Sequence, residues 1–174
     1  LIRASTELGA GTVVSGKGVQ TGYNGGSFLR GNLSSRQYGT LLCQGTGSEG
    51  IGLYTNSGVK YFCDGIRVIA VGGKTGTYCS SSSNDYWMHN KAQFIAIGGQ
   101  AGFDVQNCVY PNGNSFLYGR GGTYGIKTTR GFVTAYDNCL TVGIGGVGDA
   151  AMEQSPSPTQ PTSCTPPPAP RPRP

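Results

Sequence analysis

Glycine and proline divide this chain in two. All 31 glycines precede Asp149, whereas nine of the ten prolines lie in the last twenty residues, Ser155 to Pro174, which read SPSPTQPTSCTPPPAPRPRP. Proline fixes φ at about −65° and removes the backbone donor, so the 155–174 segment can enter neither helix nor sheet and is expected to run as a polyproline II rod. At about 3.1 Å per residue it would reach roughly 60 Å. The chain therefore reads as an N-terminal arm or first strand over 1–14, a body over 15–154 and a proline-rich tail over 155–174.

The body cannot be helical. Each interior glycine costs a helix about 1 kcal/mol relative to alanine, and with only 12% of residues charged there is too little to coat exposed helix faces. Short strands joined by tight turns fit this composition, and the expected fold is a single all-β domain, a β-prism or β-sandwich. No run approaches the ~18 apolar residues of a membrane span.

Repetition supports the strand reading. Val68-Ile69-Ala70-Val71-Gly72-Gly73-Lys74-Thr75-Gly76 recurs 26 residues later as Phe94-Ile95-Ala96-Ile97-Gly98-Gly99-Gln100-Ala101-Gly102, and a shorter copy follows at Val142-Gly143-Ile144-Gly145-Gly146. Each is a short apolar strand running into a glycine pair, which is read as the positive-φ turn of a tight hairpin. Three copies suggest a pseudo-threefold β architecture. Further strands are expected at 11–15, 27–30, 39–43, 52–55, 59–63, 86–89, 115–118 and 131–136. Turn signals such as Gly45-Thr46-Gly47 and Asn112-Gly113-Asn114 lie between them.

Six cysteines, at 43, 63, 79, 108, 139 and 164, include no C-x-x-C pair. An even number in a chain poor in Lys and Glu points to an oxidised, secreted protein in which Cys43, Cys63, Cys79, Cys108, Cys139 and Cys164 are disulfide-bonded, with connectivity open. The opening on Leu1 and the ending within an Arg-Pro alternation read as a mature piece of a longer secreted protein. The net charge of +5 does not indicate a nucleic-acid partner, because the basic residues of the body are scattered singly from Arg3 to Arg130.

Asp64-Gly65-Ile66-Arg67-Val68-Ile69-Ala70-Val71 resembles the GIRxIxV strand of jacalin-related lectins. Phe116-Leu117-Tyr118-Gly119, with Gly121 and Gly125, is similar to that family's YGPxG segment, and Gly145 to Ala150 to its G-x-x-x-D sugar loop. The resemblance implies a β-prism of three Greek-key sheets in which Asp149 accepts sugar hydroxyls and Gly148 offers an amide. Tyr86 and Trp87 are candidates to stack on a pyranose face, against the alternative of a core aromatic pair. The tail resembles hydroxyproline-rich glycoproteins of plant and green-algal extracellular matrices. That likeness implies O-glycans along Ser155, Pro156, Ser157, Pro158, Thr165, Pro166, Pro167 and Pro168. Asn32-Leu33-Ser34 is an N-glycosylation sequon.

Catalytic patterns are weak. His89 is the single histidine, which excludes a multi-imidazole zinc site. A triad with serines 80–83 would have to use His89 inside the strand Tyr86-Trp87-Met88-His89. Asp64, Asp85, Asp104 and Asp137 could supply paired carboxylates for sugar hydrolysis only if the fold brought two together. Gly143-Ile144-Gly145-Gly146-Val147-Gly148 matches the dinucleotide-binding pattern, yet no helix follows it. The expectation is a non-enzymatic structural subunit of an extracellular fibril, appendage or matrix, needing no cofactor or metal. It would assemble with copies of itself through sheet edges, the strand-like N-terminal arm over 1–14 included, and through the glycosylated proline-rich tail. The alternative is a secreted lectin-like module on a proline-rich stalk, binding glycans.

Overall fold

The computed structural model describes residues 6–8, 11–24, 28–30, 38–55, 60–80, 85–146 and 152–154. These residues form strands without a helix, and every strand pairing is parallel. The first sheet comprises β2 (Val13–Gly18), β5 (Gly39–Gly45), β8 (Ile66–Gly72), β11 (Gln93–Gly98), β14 (Phe116–Arg120) and β16 (Leu140–Ile144). The second comprises β3 (Thr21–Asn24), β6 (Ile51–Thr55), β9 (Thr75–Cys79), β12 (Ala101–Val105), β15 (Tyr124–Thr128) and β17 (Met152–Gln154). The third holds β1 (Thr6–Glu7), β4 (Phe28–Arg30), β7 (Lys60–Cys63), β10 (Tyr86–Met88) and β13 (Val109–Pro111).

The chain visits the three sheets in turn and returns one strand further along, so the architecture is a β-solenoid. The expected β-prism and β-sandwich are both corrected, because Greek keys and hairpins need antiparallel neighbours and there are none among the described residues. The repeat is translational. Val68, Ile69, Ala70, Val71 and Gly72 lie opposite Phe94, Ile95, Ala96, Ile97 and Gly98 in adjacent strands of one sheet. The shorter copy lies in β16, with Val142 opposite Tyr118.

The glycine pairs turn no hairpin. None of Gly72, Gly73, Gly98 and Gly99 has positive φ; they form the corner at which each coil bends from the first sheet into the second. A Cβ on Gly98 would stand 2.1 Å from the Ala101 carbonyl oxygen, and one on Gly102 2.4 Å from the Arg120 nitrogen in the next coil. Close backbone approach therefore demands glycine in both columns. The ladder continues round the bend, with Gly99 N donating to Gly73 O at 3.0 Å and Gly122 N to Gly99 O at 3.0 Å.

Positive φ belongs to the opposite corner, between the third sheet and the first. There Asp64-Gly65, Asn90-Lys91, Gly113-Asn114 and Asp137-Asn138 each place two consecutive residues in the left-handed region. Glycine, Asn and Asp tolerate that region best. Gly65 N donates to Asn90 O at 2.9 Å, Lys91 N to Gly113 O at 2.8 Å and Asn114 N to Asp137 O at 3.0 Å, so these corners also stack coil upon coil.

The core fills the space enclosed by the sheets. Leu41, Val68, Phe94 and Leu117 form one buried column, and Leu53, Thr77, Phe103 and Ile126 another. Phe62, Tyr86, Phe94 and Phe103 interlock, with ring centroids 5.4 Å apart for Phe62–Tyr86, 4.7 Å for Phe62–Phe94 and 4.9 Å for Phe94–Phe103. No helix among the described residues is long and apolar enough to cross a membrane.

Candidate functional site

Tyr86 and Trp87 occupy adjacent positions on opposite faces of β10, and neither can meet a sugar. Tyr86 is buried in the main core, its hydroxyl 2.6 Å from the Thr55 Oγ1. Trp87 is buried on the other face, stacked on Tyr110 at 4.1 Å and flanked by His89 at 6.0 Å. Burial of both rings favours the core-aromatic alternative over pyranose stacking. Gly148, Asp149, Asn32, Cys164 and the tail residues 155–174 lie outside the described residues.

Among the described residues no disulfide joins Cys43, Cys63, Cys79, Cys108 and Cys139 to one another, and ladder register explains this for Cys43 and Cys79. Cys43 lies opposite Gly16 and Ala70, and Cys79 opposite Thr55 and Val105, so neither meets a second sulfur in the ladder. Cys43, Cys79 and Cys108 are fully buried. Burial alone pushes the Cys43 thiol up to about 12, which suppresses the reactive thiolate.

The titratable residues are dispersed. Asp64 and Asp137 share the left-handed corner but are three coils apart, on the order of 14 Å at ~4.8 Å per coil. Asp104 stands on the second sheet, and Asp85 precedes β10, where its Oδ1 accepts a bond from the Cys108 amide at 3.3 Å. Burial raises the Asp85 carboxyl above its ordinary value, opposed by that bond. His89 is half-buried, and desolvation lowers its pKa against the pull of Asp64. Ser80 pairs with the Tyr54 hydroxyl at 3.0 Å. No group of three or more His, Cys, Asp or Glu among the described residues is placed to hold a metal ion.

Two surface features stand out. The first is an open trough of about 600 Å³ along the glycine corner, floored by Gly73, Gly99 and Gly122 and walled by Ile97, Arg120 and Ile144. Its floor has no side chains and its amides are committed to the ladder. The trough therefore offers shape and one guanidinium rather than a set of directed hydrogen bonds.

The second is the pair of solenoid ends. In the first sheet β2 and β16 each have one neighbour, as do β3 and β17 in the second. Val14 belongs to the inward column of Leu41, yet it is 38% exposed where Leu41 is 2% exposed, since among the described residues β2 has β5 as its one neighbour in the sheet. Val13 at 64% and Val19 at 72% are also exposed near this end, and on β16 Leu140 at 58% and Ile144 at 43% are exposed in the outward columns of Phe116 and Arg120. Proline and charged side chains are the usual means of blunting an edge; neither β2 nor β16 contains proline. The single charge in these two strands, Lys17, lies in the outward column with Gln44.

Comparison of the chain with protein-family models, with curated proteins and with solved structures gives no match. The site must be judged on its own geometry. The sequence reading placed one assembling edge in the N-terminal arm over 1–14, which reaches Val13 and Val14 of β2, and did not locate the edge at β16.

Proposed function

We propose that this chain is a non-enzymatic structural subunit that polymerises end to end, the coil bearing β16 and β17 of one copy seating on the coil bearing β2 and β3 of the next. The observation that carries the reading is Val14, an apolar side chain of the inward column that is left 38% exposed in the edge strand β2. Val14 continues the core column of Leu41, and a further coil would bury it as Leu41 is buried. All strands run parallel, so one end offers the edge that the other accepts. Such a contact uses two different surfaces and propagates as a filament rather than closing as a dimer.

An extracellular fibril or matrix is the setting we infer, with the proline-rich tail projecting as a spacer that O-glycans would stiffen. Free thiols fit that setting when they are buried and held in the unreactive protonated form, as Cys43 is.

Blocking one end at a time tests the reading. Val14→Lys should disable one end and Thr141→Lys, in the inward column of Leu117, the other, leaving each variant monomeric in sedimentation velocity. An equimolar mixture should yield dimers and nothing larger, since only one productive pair of ends remains. Dimers in either variant alone would mean that like ends pair, and continued polymerisation of both would mean that the ends are not the contact.

A further inference from the structure

We propose that Tyr54 and Tyr78 form an oxidative coupling site, at which a one-electron peroxidase and hydrogen peroxide join the two rings into a dityrosine that staples neighbouring coils. Tyr54 of β6 and Tyr78 of β9 lie directly opposite each other in the parallel ladder. Their ring centroids are 5.9 Å apart and the planes are inclined by 24°. Both are half-buried, accessible to an electron acceptor at the surface yet held by the sheet. The Tyr54 hydroxyl is further fixed by its 3.0 Å bond to Ser80 Oγ.

The chemistry balances without a group from the protein. Each phenol gives up one electron and one proton, leaving a phenoxyl radical with spin density on its ortho carbons. Combination of the two radicals forms one carbon–carbon bond between ortho positions. The ortho hydrogens then move to the oxygens as the rings regain aromaticity, restoring both phenols. The two hydrogen atoms removed reduce one peroxide to two waters. Stacked rings favour this outcome because a radical on one tyrosine finds its partner in contact, before it can meet a second molecule.

Other tyrosines are worse placed. Tyr86 is enclosed in the core with its hydroxyl on Thr55, and Tyr110 is buried against Trp87. Tyr136 is 41% exposed, so it could couple only by meeting another chain at high concentration. The staple would close a loop between coils 24 residues apart in sequence, restraining the unfolded chain as a disulfide does.

The test treats the purified full chain, dilute, with peroxidase and hydrogen peroxide and maps it with trypsin. Cleavage after Arg36, Lys60, Lys74 and Lys91 puts Tyr54 in the 37–60 peptide and Tyr78 in the 75–91 peptide. A linked pair lighter than the sum by two hydrogens is expected, together with a higher thermal midpoint. Tyr54→Phe and Tyr78→Phe, which keep the rings and the fold by circular dichroism, should each abolish the link and the shift. Tyr38→Phe, in the same peptide as Tyr54, should change neither. Survival of the link in Tyr54→Phe, or coupling found solely between separate chains, would overturn the assignment.

Discussion

Gly98 and the carbonyl oxygen of Ala101 stand so close across the glycine corner that a single added carbon at Gly98 would lie 2.1 Å from that oxygen. The obstacle is backbone, and its neighbours on either side are the same corner in other coils. Gly98→Ala is therefore expected to cost more than the ~1–3 kcal/mol of ordinary overpacking. Ile97→Ala beside it, on an exposed face, should fall within about 0.5 kcal/mol of the parent. Urea unfolding of the two variants measures the contrast, and equal costs would show that the corner can relax.

Tyr86→Phe tests the buried bond on the inner side of β10. The Thr55 hydroxyl would lose the partner now 2.6 Å away and remain desolvated, at a cost of about 1–3 kcal/mol. A denaturation midpoint unchanged from the parent would mean that Thr55 finds another acceptor.

Thr77→Val should do the reverse. Thr77 Oγ1 is buried without a hydrogen-bond partner, in the column that otherwise reads Leu53, Phe103 and Ile126. Removing the stranded hydroxyl at nearly constant volume should stabilise the fold by about 1 kcal/mol, visible as a higher urea midpoint with an unchanged slope.

These columns also mark how far the sequence was legible. Strand and glycine composition excluded helices, and the repeat Val68–Gly76 to Phe94–Gly102 identified the strands that prove to be register partners. Its spacing carried a further clue, since a parallel return needs a dozen or more residues whereas a hairpin needs two. In the second sheet β6 was expected, at 52–55, whereas β9 and β12 were missed. In Thr75-Gly76-Thr77-Tyr78-Cys79 and Ala101-Gly102-Phe103-Asp104-Val105 the glycine at the second place reads as a breaker. Yet the backbone of the neighbouring coil is what forbids a side chain there, and such tertiary proximity leaves no local trace. The same holds for Cys43 and Cys79, for which the even cysteine count suggested pairing while the register places no second sulfur opposite either. The expected strand at 131–136 runs alongside β13, with a parallel bridge between Val133 and Val109 and Tyr136 N donating to Pro111 O at 2.9 Å, without becoming a regular strand.

Protonation of Asp85 and His89 gives the pH dependence. Burial raises the Asp85 carboxyl above 3.8, so the unfolded chain releases that proton first and stability falls as pH rises through the raised value. Asp85→Asn should then raise the thermal midpoint at pH 7 and leave it unchanged at pH 3, where both states of the parent are protonated. His89 is lowered from 6.5 by burial. Below that pH the unfolded chain takes up a proton that the folded chain resists, and stability declines until the lowered value is passed. His89→Gln should flatten this decline, and a midpoint equally steep in parent and variant below pH 6.5 would place the acid sensitivity elsewhere.

Electron microscopy of the full-length chain at high concentration, with diffraction analysis of any filaments, bears most directly on end-to-end growth. The first sheet contributes six strands per chain, so at ~4.8 Å per strand the account predicts filaments with an axial subunit repeat of about 29 Å and a ~4.8 Å meridional spacing. Monodisperse single particles, or filaments lacking the ~4.8 Å axial spacing, would contradict it.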